Sequence, residues 1–269
     1  MKKCILGCKI IGGYMTIEEV ISEFYLFTKI KKMNVEIIIT DDIYIEKVKY
    51  SNDKNRDSIK NQKDWIETLN GSISEPMNLK DKFIILINKK YIEKCENFEW
   101  VGTVCHELTH VWDYIEYAKE KGYDTYEELV EDSNINVFLQ WSEFHARYVG
   151  HYILRKVLQP GVLKSEIALI DLLQREIPFQ INSFVESYNS SENNGNQLYY
   201  IMQFLGRLKV WIELFPNYFK EDVIEQILGE DNKWLNELFA FLNKHDTVEL
   251  VKDKLDKIEN ILNNSLNMG

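Results

Sequence analysis

The chain has 269 residues, 45% of them hydrophobic and 28% charged, with a formal net charge of -11. That length and balance describe a globular protein with a substantial core, in one large domain or two small ones. The acidic excess is the reverse of a nucleic-acid-binding footprint, so nucleic acid is not expected as a partner.

With only 4 prolines and 12 glycines, a turn-rich β architecture is disfavoured and a helix-dominated one expected. Cys4, Cys8, Cys95 and Cys105 are too scattered for a disulfide framework, which points to reduced thiols and a cytoplasmic location. No run is apolar enough to span a bilayer, so no membrane association is expected. Ile5-Leu6-Gly7-Cys8 has the form of a lipoprotein cleavage box. The apolar run before Cys8 falls short of the ~7–15 residues of a signal peptide, which argues against that reading. Gly12-Gly13-Tyr14-Met15 matches the translation of a ribosome-binding site ahead of a start codon. Residues 1–15 therefore read as a flexible extension or as sequence upstream of a true start at Met15.

In chain order, the stretch from Thr16 to Met33 places Ile17, Val20, Ile21, Phe24, Phe27 and Ile30 at helical spacing. Thr16 is the expected N-cap, with Glu19 as its capping-box partner. Val35 to Thr40 is short and β-branched, which predicts a strand. Ser51 to Asp64 is polar and predicts a loop or poorly ordered insertion. Lys82 to Asn88 has the unbroken apolar pattern of a strand buried on both faces. A helix is expected from about Phe98 to Lys121, a loop at Gly122 to Asp124, and a long helix from Thr125 to Leu158, interrupted within Glu131 to Asn136. Pro160 and Gly161 end that helix. Beyond them the chain reads as helical, with breaks at Pro178, Asn189 to Asn196, Pro216 and Gly229, and with Trp211, Phe215, Trp234, Phe239 and Phe241 as core. The fold expected is α+β and mostly helical. A small sheet packs on the helix expected from about Phe98 to Lys121 within a domain of residues 16–158, and an all-helical region follows over 160–269.

The helix predicted at Phe98 carries His106-Glu107-Leu108-Thr109-His110. Histidines four apart share one helical face, so both imidazoles can reach one ion. Glu107, beside the first of them, is placed to take a proton from a water activated by that ion and to return it to a leaving amine. A catalytic zinc needs a third protein ligand and an open position. Asp113, Glu143, His145 and His151 are the candidates. Three ligands along one straight helix would span about 10 Å, too far for one ion, so Asp113 reads as support for a ligand or as a surface acid. The helical face through Leu139, Glu143, Ala146 and Gly150 is small beside Glu143 and allows close approach to the His106 helix. The face through Phe138, Trp141, His145, Tyr148 and Tyr152 is bulky. This favours Glu143, with His145 as the alternative.

The pair of motifs, His106-Glu107-Leu108-Thr109-His110 and Glu143-Phe144-His145-Ala146, resembles the ImmA/IrrE-like metallopeptidases, compact gluzincins of bacteria and their mobile elements. The resemblance covers roughly residues 16–155. Arg147 stands where Asn commonly follows the Ala, and the helical region after Pro160 has no counterpart. The resemblance implies His106, His110 and Glu143 as zinc ligands and Glu107 as the catalytic acid/base. It also implies limited proteolysis of a protein or peptide substrate, often a transcriptional repressor. The alternative is a zinc-stabilised helical module that binds or regulates a partner without peptidase activity. Such a site is usually closed by four protein ligands and needs no acid beside the first.

Overall fold

A computed structural model of the chain, describing residues 8–10, 13–95, 98–190, 194–219, 224–225 and 233–266, is mostly helical with a small three-stranded sheet, the α+β class expected. Cys8–Ile10 (β1) and Gly13–Met15 (β2) pair antiparallel. Cys4 lies outside the described residues, as does the side chain of Cys8, on which the lipoprotein reading rests. Thr16 caps Ile17–Thr28 (α1) in a full capping box with Glu19. This helix ends before the Met33 expected from periodicity, because Lys29 turns left-handed at φ 57° and Tyr25 Oη accepts the Met33 N–H instead.

Val35–Thr40 (β3) runs parallel to Phe83–Asn88 (β5), and a strand that no pattern announced, Gly71–Ser74 (β4), pairs antiparallel with the other side of β5. The unbroken apolar run of β5 is explained by its two buried faces. Phe83, Ile85 and Ile87 join the main core, while Leu86 packs with Ile43, Ile59 and Ile66 on the outer side. That outer layer is Ile43–Tyr50 (α2), Asp53–Asn61 (α3) and Lys63–Glu67 (α4). The loop expected over Ser51 to Asp64 is therefore mostly helix. Asn52 caps α3 through the Asn55 N–H, and the single apolar side chain of that stretch, Ile59, is enough to seat it on β5.

After Lys89–Lys94 (α5), Glu99–Lys121 (α6) crosses the centre of the molecule with Val101, Val104, Cys105, Leu108 and Val111 fully buried. Gly122, at φ 75°, ends it. The expected interruption is real: Tyr126–Glu131 (α7) stops at Asp132, and Ile135–Tyr152 (α8) starts afresh. Instead of continuing as α-helix to Leu158, the chain widens into a π-helical turn over Ile153–Leu158.

Pro160–Lys164 (α9), Glu166–Asp171 (α10) and Ile177–Ser190 (α11) follow. Pro178 does not break the path as expected. A second π-helical turn, Leu172–Glu176, precedes it and widens the ladder where the proline ring would otherwise meet the i-4 carbonyl. Asn194–Leu214 (α12) ends just before Pro216, and the break expected at Gly229 lies outside the described residues. Lys233–Lys244 (α13), Val248–Val251 (α14) and Leu255–Leu266 (α15) complete the chain. One hydrophobic cluster runs from Val20 through α6, α8 and α12 to Leu262, so Pro160 marks a turn of the chain inside a shared core. Among the described residues no helix is long and apolar enough to cross a membrane.

Candidate metal centre

The site sits where α6 and α8 meet. Their approach is set by Gly150: a Cβ there would lie 2.5 Å from the Gly102 carbonyl oxygen and 3.1 Å from the His106 nitrogen. Ala146, one turn earlier, is fully buried on the same face. With the helices this close, Glu143 reaches across to both histidines of α6. Its Oε2 lies 3.5 Å from His106 Nε2 and its Oε1 lies 3.4 Å from His110 Nε2, inside the separation of about 5 Å that a shared ion requires. The two Nε2 atoms are 3.0 Å apart. Ligands at zinc distances in tetrahedral array would be separated by about 3.3 Å, close to all three spacings. His106, His110 and Glu143 thus form a group that could hold a metal ion, with their donor atoms all within 4.8 Å of one another.

The orientation of His110 follows from its neighbours. Asp113 is fully buried, and as a carboxylate it can only accept. Its Oδ1 takes a hydrogen bond from His145 Nδ1 at 2.7 Å, and its Oδ2 takes the Ser142 hydroxyl at 2.7 Å. The one proton of Ser142 is then committed, so its oxygen accepts from His110 Nδ1–H at 2.8 Å. That arrangement leaves Nε2 as the atom His110 presents to Glu143. Asp113 is therefore a buried support for His110 through Ser142 and not a surface acid, and His145, expected as the alternative third ligand, faces Asp113 between Trp112 and Trp141. His151 lies two turns beyond Glu143, buried, with Nε2 unpartnered among the described residues. Sequence reasoning missed Ser142, since a lone serine on an apolar helix carries no signal.

Glu107 is buried beside this group and lines, with His106, His110 and Glu143, a cavity of about 280 Å³. Gly71 of β4 makes the room, because a Cβ there would lie 2.7 Å from Glu107 Oε1. Burial raises the Glu107 carboxyl to about 7. Burial, and then the neighbouring His110 charge, lowers His106 to about 3. Burial also opposes the charge on His110 and on Glu143, but each stabilises the other as an ion pair. His110 is raised to about 9 and Glu143 is held well below the usual carboxylate range. A proton on His110 thus occupies the place of a cation in the group.

Glu143 does not pair with Arg147, four residues on. It accepts from Gln203 Nε2 at 3.2 Å, while Arg147 donates to Gln203 Oε1, so α12 contributes to the site. Cys95 and Cys105 form no disulfide among the described residues. Comparison with protein-family models, curated proteins and solved structures finds no match to this chain.

Proposed function

We propose that the protein is a zinc-dependent peptidase of the ImmA/IrrE-like kind, cleaving a peptide bond of a protein substrate. His106, His110 and Glu143 hold the zinc, and Glu107 is the general acid/base. One observation carries the reading: the two imidazoles and the carboxylate converge at 3.0–3.5 Å in a cavity that a buried fourth residue, Glu107, shares. Two nitrogens and one carboxylate oxygen suit zinc. Zinc held there would polarise a peptide carbonyl and bring the pKa of a water down to about 7.

The protein's own groups fit that chemistry. Burial in the metal-free site raises the Glu107 carboxyl, an environment that favours its holding a proton between accepting it and returning it. Tyr114 and Tyr199 line the same cavity and are available as hydroxyl donors to a developing oxyanion. Only three donors converge among the described residues, which supports an open site over the closed structural site of a non-catalytic module. The protein substrate rests on the resemblance of the two motifs. A cytoplasmic location rests on the cysteine usage.

Protein purified without added metal should carry about one zinc per chain. His106→Ala and Glu143→Ala should each lose it. Glu107→Gln should keep zinc yet cleave a peptide mixture at least about a hundredfold more slowly, because an amide cannot take the proton. A His106→Ala protein with full zinc content, or a Glu107→Gln protein as active as wild type, sinks the reading.

A further inference from the structure

Three helices carry residues from the metal group toward a second end of the same groove. Along α8, Glu143 is followed at four-residue intervals by Arg147 and His151, and then by Arg155 in the π-helical turn. Along α12, Tyr199 is followed by Gln203 and Arg207. On α6, Thr103 and Glu99 precede His106. The cavity holding His106 and Glu107 continues past Arg147 and Arg207 into a pocket of about 250 Å³ that Arg147, His151, Arg155 and Arg207 line.

This end of the groove is cationic and short of counter-charge. Arg155 is buried and ion-paired with Glu176. Among the described residues Arg147 has only the neutral Gln203 as a hydrogen-bond partner, and its Nε is buried without one. Arg207 has neither a hydrogen bond nor an ion pair among the described residues. Burial, followed by the Arg147 charge, lowers its guanidinium to about 9. Glu99 is the acid lining this pocket; it is exposed, forms no ion pair among the described residues, and acts on Arg155 and Arg207 only through space. In a chain of net charge -11, two half-buried guanidinia side by side, with no carboxylate in ion-pair contact among the described residues, form a binding arrangement that lacks its anion.

Resting on the peptidase reading, we infer that Arg147 and Arg207 form a carboxylate subsite that selects the substrate. Arg147 lies one helical turn, about 6 Å, from Glu143. An extended peptide advances about 3.3 Å per residue. The carboxylate therefore belongs to a residue one or two positions from the bond cleaved, either as an acidic side chain or as the C-terminus of the peptide. Planar guanidinia suit a carboxylate through paired N–H donors.

The test gives zinc-loaded wild type, Arg207→Gln and Arg207→Lys the same proteome-derived peptide mixture and reads the cut sites by mass spectrometry. In the wild type, Asp, Glu or a chain end should be enriched about tenfold or more within two residues of the cut, the ratio a lost charged contact of roughly 1.4 kcal/mol implies. Arg207→Gln should lose that preference, Arg207→Lys should keep only the part that charge alone supplies, and both should retain zinc. Because Arg207 has no partner among the described residues, Arg207→Gln should melt no lower than wild type, whereas a structural arginine would lower it. Cuts indifferent to charge overturn the inference and leave the peptidase reading standing. If nothing is cut, the peptidase reading falls and binding decides the subsite. Zinc-loaded Glu107→Gln is then titrated calorimetrically with acetyl-Ala-Glu-Ala-amide, acetyl-Ala-Gln-Ala-amide and acetyl-Ala-Gln-Ala free acid. Binding of the first assigns a side-chain carboxylate and binding of the third a chain terminus. Failure of both, or binding unchanged by adding Arg207→Gln, overturns the inference.

Discussion

Ser142 belongs to no motif, yet it passes the charge of buried Asp113 to His110 and so sets which ring nitrogen faces the metal position. Ser142→Ala removes the acceptor of His110 Nδ1–H and one donor to Asp113. Zinc affinity is expected to fall about 10- to 100-fold, the usual effect of losing an outer partner of a metal-bound histidine. Competition with a chelator measures this. Glu107 offers a second test at this scale. Its carboxyl is raised from 4.5 to about 7, so the unfolded chain releases that proton before the folded one does. The stabilising contribution is complete below pH 4.5 and is lost as pH rises through 7. Metal-free Glu107→Gln should therefore melt above metal-free wild type at pH 8, by at most about 3 kcal/mol, with the difference closing near pH 4.5. The residues of this site were unevenly legible. The four-residue spacing of His106 and His110 is a property of one helix and can be read from one sequence. The Ser142–Asp113 contact joins two helices, and one sequence holds no record of which residues meet.

At the scale of elements, two glycines do different work. Gly150 lets α8 lie against α6 backbone to backbone, and Gly71 lets β4 pass over the Glu107 side chain. A methyl group at Gly150 meets a carbonyl and a backbone nitrogen, neither of which can move alone. Gly150→Ala should push the helices apart, lower stability by about 1–3 kcal/mol and carry Glu143 away from the histidines, with zinc lost alongside. A methyl group at Gly71 meets side-chain atoms, the Glu107 Oε1 and Cγ at 2.7 and 2.9 Å and the Thr103 Cγ2 at 3.0 Å, and the Glu107 side chain can swing aside. Gly71→Ala should retain zinc and most of its melting temperature while kcat drops, because Glu107 is displaced. The small face of α8 was visible as Ala146 and Gly150 beside Glu143, since helical periodicity projects residues onto faces. The partner strand β4 was not visible. At four residues it is too short to show a period, and its pairing with β5 is made by backbone groups. The helix α3 was hidden for a related reason, as one buried isoleucine seats it.

The whole molecule closes around α8. Phe204, Leu205, Leu208 and Trp211 of α12 are buried in the common core, Trp141 Nε1–H donates to the His245 carbonyl at 2.8 Å, and Lys209 pairs with Asp246. Burying side chains of this size contributes about 1.5–3 kcal/mol each, so these four alone rival the roughly 5–15 kcal/mol that stabilises a typical domain. A chain ended after Leu158 keeps His106, His110 and Glu143, the group that could hold a metal ion, but loses this cover. It should show weak near-ultraviolet circular dichroism, bind zinc poorly and aggregate, although residues 16–158 read from sequence as a unit. Proline and glycine punctuation at 160 and 161 marks where the path turns. It carries no information about which faces remain covered, and that is why the shared core could not be read in advance.

The π-helical turn over Ile153–Leu158 has a hereditary consequence. Such a turn holds one residue more than an α-helix would use, the change a single-codon insertion makes at a stroke. Deleting one codon, that of exposed Lys156 for instance, would let the turn close as α-helix. What precedes and follows the turn would keep its faces, because the widened ladder has already absorbed the extra residue. The same deletion inside α8 would instead rotate all that follows by about 100° and carry Arg147 and His151 off the groove. Deleting Lys156 should therefore lower the melting temperature far less than deleting a residue from the middle of α8. The turn is a place where the chain can gain or lose a residue without moving the helices on either side.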